Sequence, residues 1–128
     1  MENCVFCKIA KGEIPSYKIW EDEDSLAFLD LNPLKEGHAV LIPKKHTDYI
    51  FDIPDKEYQN LFLAAKRLAE ILKSKLKPKK IGVQVMGFGV PHAHVHLIPL
   101  DSERDMNYMN ATPATPEELK KVAEKITK

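Results

Sequence analysis

The chain has 128 residues, enough for one domain with a proper core and too few for two of ordinary size. Its 19 lysines and arginines balance 19 aspartates and glutamates, so no net field draws it to nucleic acid or to a membrane surface. No apolar run approaches the ~20 residues of a spanning helix, and Met1-Glu2-Asn3-Cys4 lacks a basic-then-apolar export signal, so the expected setting is cytoplasmic.

In chain order, Lys8 to Gly12 reads as a short helical turn stopped by glycine. Tyr17 to Glu21 and Leu26 to Asp30 read as short strands joined by the acidic turn Asp22-Glu23-Asp24. Asn32-Pro33 and Glu36-Gly37 punctuate a loop, and His38 to Pro43 is an apolar strand. After Pro54 comes the one long helix, with Tyr58, Leu61, Phe62, Ala65, Leu68, Ala69, Leu72 and Leu76 at three- and four-residue spacing; Pro78 ends it. Lys80 to Met86 and Ala93 to Leu100 are strands separated by Gly87-Phe88-Gly89-Val90-Pro91. A last helix opens on Thr115 as N-cap, Pro116 at the first position and Glu118 completing a capping box. These elements predict an α+β domain over residues 1–128 with a mostly antiparallel sheet, one long helix and a C-terminal helix.

Two groups of residues carry chemistry. Cys4 and Cys7 form a Cys-x-x-Cys; with no sign of export a structural disulfide is disfavoured, leaving metal ligation or redox chemistry. His92, His94 and His96 alternate with Ala93, Val95 and Leu97 between two prolines. Period two is strand spacing, so the histidines face one side and the apolar residues the other. A row of imidazoles is costly to bury without partners, which leaves three readings: satisfied polar residues on a half-exposed strand, a His-x-His metal site, or phosphoryl and nucleotidyl transfer. For transfer, a histidine with an ordinary pKa near ~6.5 is mostly neutral at pH 7 and nucleophilic toward phosphorus. Successive side chains about 6.6 Å apart along a strand reach different parts of a polyphosphate.

The run His92-Ala93-His94-Val95-His96-Leu97-Ile98 resembles the histidine triad (HIT) pattern, three histidines alternating with apolar residues. Other pieces agree in order: Cys4-Val5-Phe6-Cys7-Lys8-Ile9, Gly12-Glu13-Ile14-Pro15, Ala27 through Pro33, and Gly37 through His46. The resemblance covers residues 4–99; 101–128 form an extension in which Met106, Tyr108 and Met109 pack on the sheet edge or cover the site.

The resemblance implies a nucleotide hydrolase or transferase acting on the α-phosphate of nucleotide conjugates. His94 matches the nucleophile that becomes nucleotidylated, His96 the neighbour contacting phosphate and leaving group, and His38 another histidine bordering the phosphate. Asp30 matches the acidic residue that binds the ribose hydroxyls. Val5, Phe6, Ile9, Phe28 and Leu31 resemble the apolar wall around a purine base, though each alone also suits ordinary core packing. In the zinc-binding, Hint-like branch the metal ligands are matched by Cys4, Cys7, His46 and His92, a closed set that implies a structural role and no catalytic metal. The resemblance further implies a homodimer. One departure stands out: many members carry a longer loop with polar side chains before the triad, where this chain has Met86-Gly87-Phe88-Gly89-Val90-Pro91. Backbone amides around Gly87 and Gly89 are the expected substitutes, since glycine permits close approach. The expected substrate is a nucleoside phosphoramidate; the alternatives are dinucleoside polyphosphate hydrolysis and a non-catalytic nucleotide-binding adaptor.

Overall fold

The structure, a computed structural model, describes residues 3–128; the reading at Met1 and Glu2 lies outside them. Helix α1 spans Val5–Ala10. The strands are β1 (Lys18–Glu21), β2 (Ser25–Leu29), β3 (Ala39–Pro43), β4 (Lys80–Gln84) and β5 (Val95–Leu100). Helix α2 covers Asp55–Leu76 and α3 Pro116–Thr127, with single 3₁₀ turns at Ile50–Asp52, Glu103–Met106 and Tyr108–Asn110. The five strands form one antiparallel sheet in the order β1-β2-β3-β5-β4, so the α+β expectation holds.

Alternation along the strands sorts side chains to two faces. Ala27, Leu29, Ala39, Leu41, Val95 and Leu97 point one way and bury against Leu61, Ala65, Leu68 and Leu72 of α2. Leu26, Phe28, Val40 and Ile42 point the other way and pack with Phe6, Ile9 and Ala10 of α1. Covered on both faces, β2 and β3 are buried throughout, which is why they read as continuous apolar runs. Helix α3 opens with the expected capping box of Thr115 and Glu118 and packs against α2 and β1.

Several boundaries differ from the sequence reading, each for a local reason. Helix α1 starts three residues early because the Cys4 Sγ accepts a bond from the Cys7 amide at 3.3 Å and caps it. Its end is a paired-bond glycine stop: Gly12, at φ 78°, donates to the Ile9 carbonyl while Glu13 donates to Lys8. Helix α2 ends at Leu76 because Lys77 turns left-handed, at φ 56°, and Pro78 after it cannot continue the helix. Strand β3 begins at Ala39 rather than His38, and β4 stops at Gln84 rather than Met86.

Gly37, at φ 90°, sets the direction in which the chain enters His38 and β3. A side chain there would run into Leu76 of α2 and force a left-handed alanine. Gly37→Ala is therefore expected to cost about 1–3 kcal/mol, read as a lower urea midpoint; an unchanged midpoint would contradict this account of the turn.

Candidate active site

The histidine row enters the sheet late, because its backbone is committed elsewhere. The His92 amide donates to the Val90 carbonyl at 2.8 Å, the Ala93 amide to Thr47 at 2.6 Å, and ladder pairing with β3 begins only at Val95. The expected β5 start at Ala93 therefore moves to Val95, yet the predicted sidedness survives. Ala93, Val95 and Leu97 sit in the α2-facing core, and Phe6, on the opposite face, lies edge-on to both His92 and His94.

Hydrogen bonds to fixed partners settle which ring nitrogen carries each proton. A backbone carbonyl only accepts, so His94 Nδ1–H donates to the His92 carbonyl at 2.7 Å and leaves Nε2 with a free lone pair. The Leu34 amide donates to His38 Nδ1 at 3.1 Å, so the His38 proton lies on Nε2. That nitrogen donates to His96 Nδ1 at 2.9 Å, which leaves His96 with its proton on Nε2. Burial holds His38 below the usual histidine range despite the opposing pull of Asp30, and holds His96 down to about 4, with His38 and His94 adding to the effect. The approaches of Asp30 Oδ2 to His38 (3.5 Å) and His96 (3.8 Å) are thus contacts to neutral rings rather than ion pairs.

His94 and His96 border a cavity of about 630 Å³ whose lining includes Val5, Phe6, Ile9, Phe28, Asp30 and Leu31. Every residue of the apolar wall expected from sequence is in this lining, and Gly89 joins it. Two expected residues lie elsewhere. His38 is 1% exposed, behind His96, and Gly87 borders a neighbouring cavity beside Tyr49, Phe51 and His94. Pro15, Tyr17, Asn32, Val40 and Phe88 also line the larger cavity and were not singled out from sequence. Val40 was legible in principle, since alternation sets it on the same face as Phe28; the others are loop residues placed by the tertiary fold alone.

On the far side of Phe6 the second group converges. Cys4 Sγ lies 3.3 Å and Cys7 Sγ 3.4 Å from His92 Nδ1, and Cys7 Sγ lies 3.2 Å from His46 Nδ1. The His92 Nε2–H donates to the Pro43 carbonyl at 2.8 Å, which turns the Nδ1 lone pair toward the sulfurs, an outer hydrogen bond of the kind that orients metal ligands. Burial holds His92 in the neutral, ligating form. Burial and Cys4 push the Cys7 thiol up, so a bound cation is what would make that sulfur a thiolate. The spacings suit a tetrahedron with zinc–sulfur bonds of ~2.3 Å and zinc–nitrogen bonds of ~2.0 Å, whose edges are about 3.5 Å. These four residues form a group able to hold a metal ion. Asp30, His38 and His96 also converge, but the Leu34 bond keeps a proton on His38 Nε2, so that ring offers no lone pair to a cation.

The depressed His96 pKa makes a pH prediction. Between pH 6.5 and about 4 the unfolded chain binds a proton that folded His96 does not, so stability falls as the pH drops through that window. The expected loss is roughly 2–3 kcal/mol. Urea titrations at pH 7 and 4.5 on wild type and His96→Asn isolate it from acid effects at the cysteines; an equal loss in both proteins would rule it out.

Residues 11–103 match the HIT domain family. "Protein hit" of Bacillus subtilis is 34% identical over 138 residues, spanning 99% of this chain and 94% of that protein. The adenosine 5′-monophosphoramidase HNT1 of Saccharomyces cerevisiae is 43% identical over 102 residues, 79% of this chain and 65% of the yeast protein. The crystal structure of a zinc-bound histidine triad family protein from Mycobacterium smegmatis aligns with a TM-score of 0.84 at 25% identity, covering 98% of this chain and 91% of that one. The chain belongs to the HIT family. Within it, the protein is a HIT-type hydrolase. No helix among the described residues is long and apolar enough to cross a membrane.

Proposed function

We propose that the protein hydrolyses nucleoside 5′-phosphoramidates, adenosine-type substrates among them, through a nucleotidyl-histidine intermediate. The observation that carries this is the His94 ring: Nδ1–H is tied to the His92 carbonyl, so Nε2 keeps a lone pair on a ring that lines an apolar cavity. The base lies between Val5, Phe6, Ile9, Phe28 and Leu31, and the Asp30 carboxylate accepts from the ribose hydroxyls. His94 Nε2 attacks the α-phosphorus; a nitrogen–phosphorus bond forms as the bond to the leaving nitrogen breaks, its electron pair going to that nitrogen. His96 Nε2–H, oriented by His38, donates a hydrogen bond to the departing group. Over the cycle one water is consumed, its hydroxyl ending on phosphorus and its proton on the amine. The backbone amides of Gly87 and Gly89 stand in for polar side chains around the phosphate. The short loop sits where the leaving group is chosen, which keeps dinucleoside polyphosphates as the alternative substrate; a non-catalytic adaptor would have no use for the free His94 nitrogen.

The Cys4, Cys7, His46 and His92 set fits a structural zinc of the Hint-like branch, since four protein donors leave no open position for chemistry. His38, with its lone pair committed to Leu34, gives the phosphate side no metal site, consistent with a reaction that needs no catalytic metal. The unpaired edge of β4 and the exposed Val83 support a homodimer, and the free thiols suit a reducing cytoplasm. The test is hydrolysis of adenosine 5′-phosphoramidate without added metal, and its loss in His94→Asn.

A further inference from the structure

Among the described residues, two buried side-chain polar atoms lack a hydrogen-bond partner: Gln84 Oε1 and the Tyr108 hydroxyl. One lies on β4 and the other in the C-terminal extension, yet both neighbour His96. Gln84 is the Cα partner of His96 across the β4–β5 ladder. Partners in an antiparallel pair share a face, with Cβ atoms about 4.5–5.5 Å apart, so Gln84 lies on the histidine side of the sheet. Tyr108 approaches from the C-terminal extension, its ring edge-on to His96 at 6.2 Å between centroids.

The extension is held there rather than draped. Ser102 and Asp105 cap each other's backbone in the first 3₁₀ turn, Lys35 lies 3.7 Å from both Asp101 and Asp105, and the Ala114 amide donates to the Leu31 carbonyl at 3.0 Å. Tyr108 lies beyond residues 11–103, the stretch that matches the family, and the loop that would otherwise bring polar side chains to this side is short and apolar.

A buried polar atom without a partner is destabilising. Two of them next to one active-site ring are explained if their partners arrive with the substrate. Burial, followed by the Asp30 charge, raises the Tyr108 pKa, so the phenol keeps its proton and acts as a donor. Gln84 Oε1 acts as an acceptor. We propose that Tyr108 and Gln84 form the leaving-group subsite beside His96 and select an amine, whose nitrogen accepts from Tyr108 and whose N–H donates to Gln84. A phosphate leaving group carries oxygen acceptors only and leaves Gln84 Oε1 unmatched or repelled. The subsite thus favours phosphoramidates over polyphosphates, and it rests on the functional reading above.

The test compares two substrates that share a nucleoside monophosphate: adenosine 5′-phosphoramidate, and the p-nitrophenyl ester of the same nucleotide, whose aryloxide departs without hydrogen-bond help. In Tyr108→Phe and Gln84→Met, kcat/KM for the phosphoramidate is expected to fall at least about tenfold, while the ester changes less than threefold and affinity for the nucleoside monophosphate is unchanged. Melting temperatures separate this role from a structural one. Removing an orphaned hydroxyl leaves the Tyr108→Phe melting temperature equal or higher, whereas a packing or bonding role lowers it. Equal losses on both substrates, or none on either, overturn the subsite while leaving His94 chemistry intact. Wild-type protein inactive on both substrates overturns the functional reading and the subsite with it.

Discussion

His94→Asn is expected to lower kcat on adenosine 5′-phosphoramidate by at least about 10⁴-fold. Asparagine is close to the size of the ring's proximal half and its amide can still donate to the His92 carbonyl, so the local backbone keeps its bond. What disappears is the one nitrogen with an uncommitted lone pair. The other two rings cannot replace it: His38 gives its lone pair to the Leu34 amide and His96 gives its own to His38. Acid quenching of the wild-type reaction, followed by peptide mass spectrometry, should place a nucleotidyl group on His94 and on no other residue. If wild type and His94→Asn proved equally inactive on phosphoramidates and on dinucleoside polyphosphates, the protein would be a nucleotide binder rather than an enzyme acting through this ring.

Cys4→Ser is expected to remove the bound metal, about one zinc per chain by elemental analysis, and to lower the melting temperature by at least about 10 °C. The size follows from a loss of about 3 kcal/mol when a closed tetrahedral site opens, at roughly 4 °C per kcal/mol for a chain of this length. Cys4 acts twice, since its sulfur also caps α1. Without metal, two sulfurs and two imidazoles are left facing one another with nothing to bridge them. The damage should reach the substrate: α1 carries Val5, Phe6 and Ile9, three residues of the cavity wall, so KM for the nucleotide is expected to rise more than kcat falls. Metal-free wild type that melts at the same temperature as the loaded protein would eliminate the structural zinc.

Much of this is legible in the sequence. The alternation of Ala93, Val95 and Leu97 with the histidines announced two faces, because a strand has no other way to arrange period-two side chains. The stripe from Tyr58 to Leu76 announced α2 for the same kind of reason at period 3.6. Boundaries were less legible where the deciding partner is not a neighbour in sequence. Helix α1 begins where a cysteine sulfur happens to cap it, and β5 begins late because the Ala93 amide bonds to Thr47.

The division of the histidine row shows the limit most sharply. By themselves, residues 92–96 state that three imidazoles share a face, and no more than that follows from their order. What each ring does depends on which nitrogen is protonated, and that was decided by groups far away in the chain: the Pro43 carbonyl for His92, the Leu34 amide for His38 and, through it, His96. Only His94 takes its instruction locally, from the carbonyl of His92. Gln84 and Tyr108 are the extreme case, since neither carries a motif and each stands beside His96 only through the sheet register and the folded extension. Local spacing determines the facing of side chains through covalent geometry; the protonation, burial and unmet hydrogen bonds that make a site are set by tertiary contacts, which the sequence specifies only through the whole fold.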